Sequence, residues 1–79
     1  MKNVSFDYKL LLDDIDKKYK GEKIEYKINK FCQEIKIKTY RFKKILEAKA
    51  YFQNDEIYRI MTLLNINDNE ISNYFFKVV

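Results

Sequence analysis

Seventy-nine residues set a ceiling of one small domain. Hydrophobic residues make up 47% of the chain, with seven Tyr and six Phe, which excludes a disordered polar tail. There is no His, so the commonest metal ligand and the commonest general base are missing, and neither catalysis nor a metal or other cofactor is expected. One Gly and no Pro leave little tight-turn chemistry and argue against a hairpin-rich β fold. The single cysteine, Cys32, has no partner for an intrachain disulfide and fits a reducing compartment. Apolar runs such as Leu10-Leu11-Leu12 and Tyr74-Phe75-Phe76 fall far short of the roughly 20 residues a membrane span needs. A cytoplasmic protein with no membrane association is expected.

Helical spacing runs through the chain in order. Tyr8, Leu11, Leu12, Ile15 and Tyr19 recur at three and four residues, with Asp7 placed to cap the helix, Phe6 and Leu11 spaced as a hydrophobic staple, and Gly21 placed to stop it. A second helix follows from Ile24, Ile28, Phe31, Cys32 and Ile35. A third begins at Lys38 or Thr39 and carries Phe42, Ile45 and Leu46. Ile57, Ile60, Met61 and Leu64 mark a fourth, and Ile71, Tyr74 and Phe75 a fifth. The last two starts share a layout: Asn67 with Glu70, and Gln53 with Glu56, stand three residues apart as capping boxes, and Ile66 is spaced to staple against Ile71. The expectation is one all-α, compact five-helix domain over residues 1–79.

The net charge of +4 is unevenly spread. Residues 1–20 carry +1, residues 21–52 carry +5 and residues 53–79 carry −2. Between positions 36 and 49, Lys36, Lys38, Arg41, Lys43, Lys44 and Lys49 face only Glu47. A focused cationic stretch suits a phosphate-bearing partner, because each neutralised phosphate releases condensed counterion; a solvated Lys-rich helix face is the plainer reading.

The same stretch has the spacing of a helix-turn-helix over about residues 28–47. Phe31 and Cys32 precede Ile35, Ile37 plugs the turn, and Phe42 and Ile45 pin the next helix across it. Thr39, Tyr40, Lys43, Lys44 and Glu47 would then face outward, with the N-terminal residues nearest to base edges. Arg41 has the fork for guanine or phosphate, or pairs with a neighbouring Glu. Asp13, Asp14 and Asp16 lack the spacing of a calcium loop.

Phe6-Asp7-Tyr8-x-Leu10, Tyr51-Phe52-x-x-Asp55-Glu56-Ile57-Tyr58-x-Ile60 and Leu63-Leu64-x-Ile66-x-x-x-Glu70-Ile71-x-x-Tyr74-Phe75-Phe76 resemble the small Cro-like regulators of Gram-positive phages and prophages, of the phage-repressor helix-turn-helix class. The resemblance implies a phage-encoded transcriptional regulator acting as a homodimer on double-stranded operator DNA inside a bacterial host cell. DNA contacts are expected from Lys36, Lys38, Thr39, Tyr40, Arg41, Lys43, Lys44 and Lys49. Where such families place Gly at the turn this chain has Lys36, where they place a Ser or Thr cap it has Lys38, and Glu47-Ala48 replaces the usual Asn-Gly. Those departures motivate a rival expectation: an inhibitor of the anti-CRISPR type that uses the scaffold against a host nucleic-acid-handling nuclease. The aromatic end, Tyr74-Phe75-Phe76 with Val78-Val79, is either a lid on the core or a dimer surface.

Overall fold

Residues 5–21 and 23–79 are described by a computed structural model; residues 1–4 and 22 of the expected 1–79 domain lie outside it. Among the described residues there are five α-helices and no strand: α1 (Lys9–Lys18), α2 (Ile24–Ile35), α3 (Thr39–Leu46), α4 (Asn54–Leu64) and α5 (Ile71–Phe75), the last preceded by one 3₁₀ turn, Asp68–Glu70. α1 packs on α2 and α5, and α2 on α3 and α4. The buried set follows the three/four spacing: Leu11 and Ile15, then Ile28, Phe31, Cys32 and Ile35, then Phe42 and Ile45, then Ile57 and Ile60, with Ile37, Ile66 and Phe75 closing the gaps. Burying each such side chain contributes about 1.5–3 kcal/mol, which is how short helices with weak intrinsic stability are held.

Helix ends depart from expectation in instructive ways. α1 begins one residue later than Asp7 predicts, since Leu12 N–H bonds the Tyr8 carbonyl at 2.9 Å, making Tyr8 the cap. The Asp7 Oδ1 still accepts the Lys9 N–H at 2.9 Å. Gly21 does not stop α1. The helix ends at Lys18, Tyr19 turns extended at φ −108°, and Gly21 has no positive φ. Tyr19 leaves the helix to donate its hydroxyl to Glu34 of α2, while a Cβ on Gly21 would stand 3.1 Å from the Tyr26 ring. Small size, not left-handed geometry, is what this position uses.

Of the two expected capping boxes, the one between Gln53 and Glu56 forms, with the Glu56 carboxylate accepting the Gln53 N–H at 2.7 Å. The Asn67 side chain makes no cap bond. In the 3₁₀ turn Glu70 N–H already bonds the Asn67 carbonyl at 2.9 Å, so the donor that the side chain would have served is taken. The chain ends add one non-helical feature, an antiparallel bridge between Phe6 and Val78. It is closed by Asp7 N–H to the Lys77 carbonyl and Val79 N–H to the Ser5 carbonyl.

Candidate functional site

α2 and α3 are joined by Lys36, Ile37 and Lys38, and the turn is built from hydrogen bonds rather than from Gly. Lys36 adopts the left-handed conformation at φ 58° and ψ 41°. Its N–H bonds the Gln33 carbonyl at 3.4 Å, and the Ile37 N–H bonds the Cys32 carbonyl at 3.0 Å, the paired bonds of a Schellman ending. Ile37 and Cys32 are both buried under the turn. Burial pushes the Cys32 thiol up, so it is held protonated and packs as a small apolar side chain.

α3 is pinned from below by Phe42 and Ile45, both fully buried, with the Phe42 ring edge-on to Phe31 at 5.6 Å. Its opposite face is therefore open. Tyr40 is 69% exposed, and Lys44 lies 4.9 Å from the centre of the Tyr40 ring. A hydrogen bond with Tyr40 raises the Lys44 pKa, which keeps the ammonium charged. Lys43 pairs with Glu25 at 3.0 Å and Lys49 with Glu47 at 3.3 Å, all four side chains exposed. Exposed pairs of this kind contribute about 0–1 kcal/mol and yield readily to a competing anion. Lys36 and Lys38 are exposed and make no ion pair among the described residues. Lys38 also occupies the N-cap of α3 without a side-chain cap bond, so its side chain leaves the first N–H groups of the helix uncapped.

Beyond those pairings, two more of the eight expected residues bond to neighbouring parts of the fold. The Thr39 hydroxyl donates to the Asn29 Oδ1 of α2 at 3.1 Å. Arg41 turns toward α4: its Nε and Nη2 donate to the two oxygens of Glu56 at 2.8 Å each, and Nη2 also reaches the Tyr51 carbonyl at 3.0 Å. Of the two alternatives open to Arg41, the structure shows the Glu pairing. Its residue spacing gave no hint of the partner, fifteen positions away, although Glu56 was identifiable as a cap. Asn29 and Glu25 were likewise missed, since nothing in the periodicity of α2 marks them as neighbours of α3.

Elsewhere two acidic side chains of α1 serve the fold, with Asp14 accepting the Tyr74 hydroxyl and Asp16 pairing with Lys27. Among the described residues no group of three or more His, Cys, Asp or Glu is placed to hold a metal ion, and no helix is long and apolar enough to cross a membrane. At the aromatic end Phe75 is buried, whereas Phe76, Val78 and Val79 are exposed. What the site offers is an array of ammonium groups and one exposed phenol on a helix backed by the core. No protein-family model matches the chain, and no curated protein matches it significantly.

Proposed function

We propose that this chain is a sequence-specific DNA-binding regulator of the helix-turn-helix type, acting by operator occupancy with α3 as the reading helix. One observation carries the reading. The densest cationic stretch of the sequence coincides with a short helix whose back is locked into the core by Phe42 and Ile45. Such a helix can enter a major groove without losing its packing, and its N-terminal end bears the side chains nearest to the bases. In this reading Tyr40, with the Thr39 methyl, addresses base edges. Lys36, Lys38, Lys43, Lys44 and Lys49 address phosphates and set register. The pairs Lys43–Glu25 and Lys49–Glu47 exchange a weak exposed carboxylate contact for a phosphate.

One such helix buries too little to give useful specificity alone, so the acting form is proposed to be a homodimer, with exposed Phe76, Val78 and Val79 as its apolar contact. Selection of bound duplexes from a random pool tests both parts. The expected product is a recurring inverted repeat with half-sites about one helical turn apart. Recovery of no common sequence would contradict the reading, because charge alone binds all duplexes alike.

A further inference from the structure

Arg41 is the cation on α3 that does not lie along the open face. Its guanidinium meets Glu56, the one buried charged side chain among the described residues, through two hydrogen bonds of 2.8 Å. The Tyr51 carbonyl accepts a third, and the same carboxylate takes the Gln53 N–H at 2.7 Å. Three parts of the chain converge on one planar group: α3 through Arg41, the α3–α4 connection through Tyr51, and the first turn of α4 through Glu56. A bidentate guanidinium–carboxylate pair fixes direction as well as distance. α3 is only eight residues long, has no side-chain cap, and packs mainly on α2. Between α3 and the start of α4 this clamp acts beside the Phe42–Phe52 ring contact at 6.1 Å and adds a fixed direction to the apolar packing of Phe42 and Ile45.

We infer that Arg41 is a positioning residue, which sets the angle at which α3 presents its open face and does not itself touch DNA. The inference rests on the reading of α3 as the reading helix. To reach a phosphate or a guanine, the guanidinium would have to leave the buried Glu56 carboxylate without its hydrogen-bonded ion-pair partner, with only the Gln53 N–H and the Arg59 charge remaining, an arrangement that costs stability.

The test compares Arg41→Lys and Glu56→Gln with the wild type on a duplex selected from a random pool and on its scrambled version, at a temperature where circular dichroism shows each variant folded. Arg41→Lys keeps the charge and loses the fork; Glu56→Gln keeps the shape and loses the partner. Both are expected to lower the preference for the selected duplex by about tenfold, the scale of one mismatched base pair, with the salt slope unchanged. Wild-type preference in Arg41→Lys, which a phosphate contact predicts, or unchanged or tighter binding by Glu56→Gln, which a direct contact to phosphate or guanine predicts, would overturn the inference. Equal weakening on both duplexes would also overturn it, because that marks a merely structural loss. Amide hydrogen exchange without DNA gives an independent readout: Arg41→Lys should speed exchange in Lys43–Leu46 relative to α1. If the wild type shows no preference between duplexes, the DNA reading fails by itself, and exchange decides the clamp: selective acceleration in α3 supports it and unchanged exchange overturns it.

Discussion

Lys36 and Ala48 stand on either side of α3 in the same left-handed backbone state, with φ of 58° and 64°. Both close a Schellman ending, Lys36 for α2 and Ala48 for α3, where the Lys49 N–H bonds the Lys44 carbonyl at 2.9 Å and the Ala48 N–H bonds that of Ile45 at 3.1 Å. Asn65 does the same for α4 at φ 57°, with a residue type that tolerates it. The turn before α3 and the exit after it therefore carry side chains where Gly is the cheaper choice.

Lys36→Gly and Ala48→Gly should each stabilise the domain. A non-Gly residue in this region costs about 1–2 kcal/mol, offset by about 0.4–1 kcal/mol for the extra freedom Gly has in the unfolded chain. The net gain expected lies between about 0 and 1.6 kcal/mol per site, read as a rise in the urea midpoint. A drop in midpoint at either position would show that the side chain makes compensating contacts outweighing the strain.

Phe42→Ala and Ile45→Ala empty volume directly beneath the open face of α3. Each should cost about 2–5 kcal/mol. In a domain of this size that is a large part of the total stability, so a substantial unfolded fraction at ambient temperature is expected by circular dichroism. An unchanged denaturation midpoint for either variant would contradict the placement of α3 against α2.

Acid stability should depend on Glu56. Its carboxyl is held below the ordinary value of 4.5, first by the hydrogen bonds from Arg41 and then by the Gln53 N–H and the Arg41 charge, against the opposing effect of burial. A lowered folded pKa means the contribution is present above pH 4.5 and is lost as pH falls through the folded value. Denaturation midpoints of the wild type should fall in that window more steeply than those of Glu56→Gln. Parallel acid profiles would contradict a charged Glu56 in the native pair.

Alkaline stability should depend on Tyr74. Its hydrogen bond to Asp14, then burial and the Asp14 charge, push its phenol from 10 up to about 12. A raised folded pKa makes this contribution fully present below pH 10 and lost as pH rises toward 12. Tyr74→Phe should be less stable than the wild type at neutral pH, with the gap closing across that window. A constant gap would show that the hydroxyl contributes only through its size.

Much of this fold was legible because it is local. Three/four spacing marked every helix, since burying one face is what makes such short helices stable, and the spacing of Phe31, Cys32, Ile35, Phe42 and Ile45 marked the α2–α3 pair. The Gln53–Glu56 cap was legible for the same reason. Tertiary relations were not. Arg41 finds Glu56 fifteen residues away, Phe6 meets Val78 across nearly the whole chain, and Tyr19 ends α1 for the sake of a bond to α2. On the open face, the exposure of Tyr40 and Lys43 could be read from periodicity, whereas the half-burial of Lys44 could not, nor could the inward bond of Thr39 to Asn29, because hydrogen-bond partners on another helix leave no trace in spacing.

The most direct measurement of the proposed DNA function is a salt-titrated binding series for the wild type and the Lys43→Ala/Lys44→Ala double variant, on a duplex selected from a random pool and on its scrambled version. The account predicts that the wild type prefers the selected duplex. It also predicts that the double variant binds both duplexes more weakly, with a salt slope lower by about two, one for each lost phosphate contact. Equal, weak wild-type binding to the two duplexes, or a double variant with an unchanged slope, would contradict it.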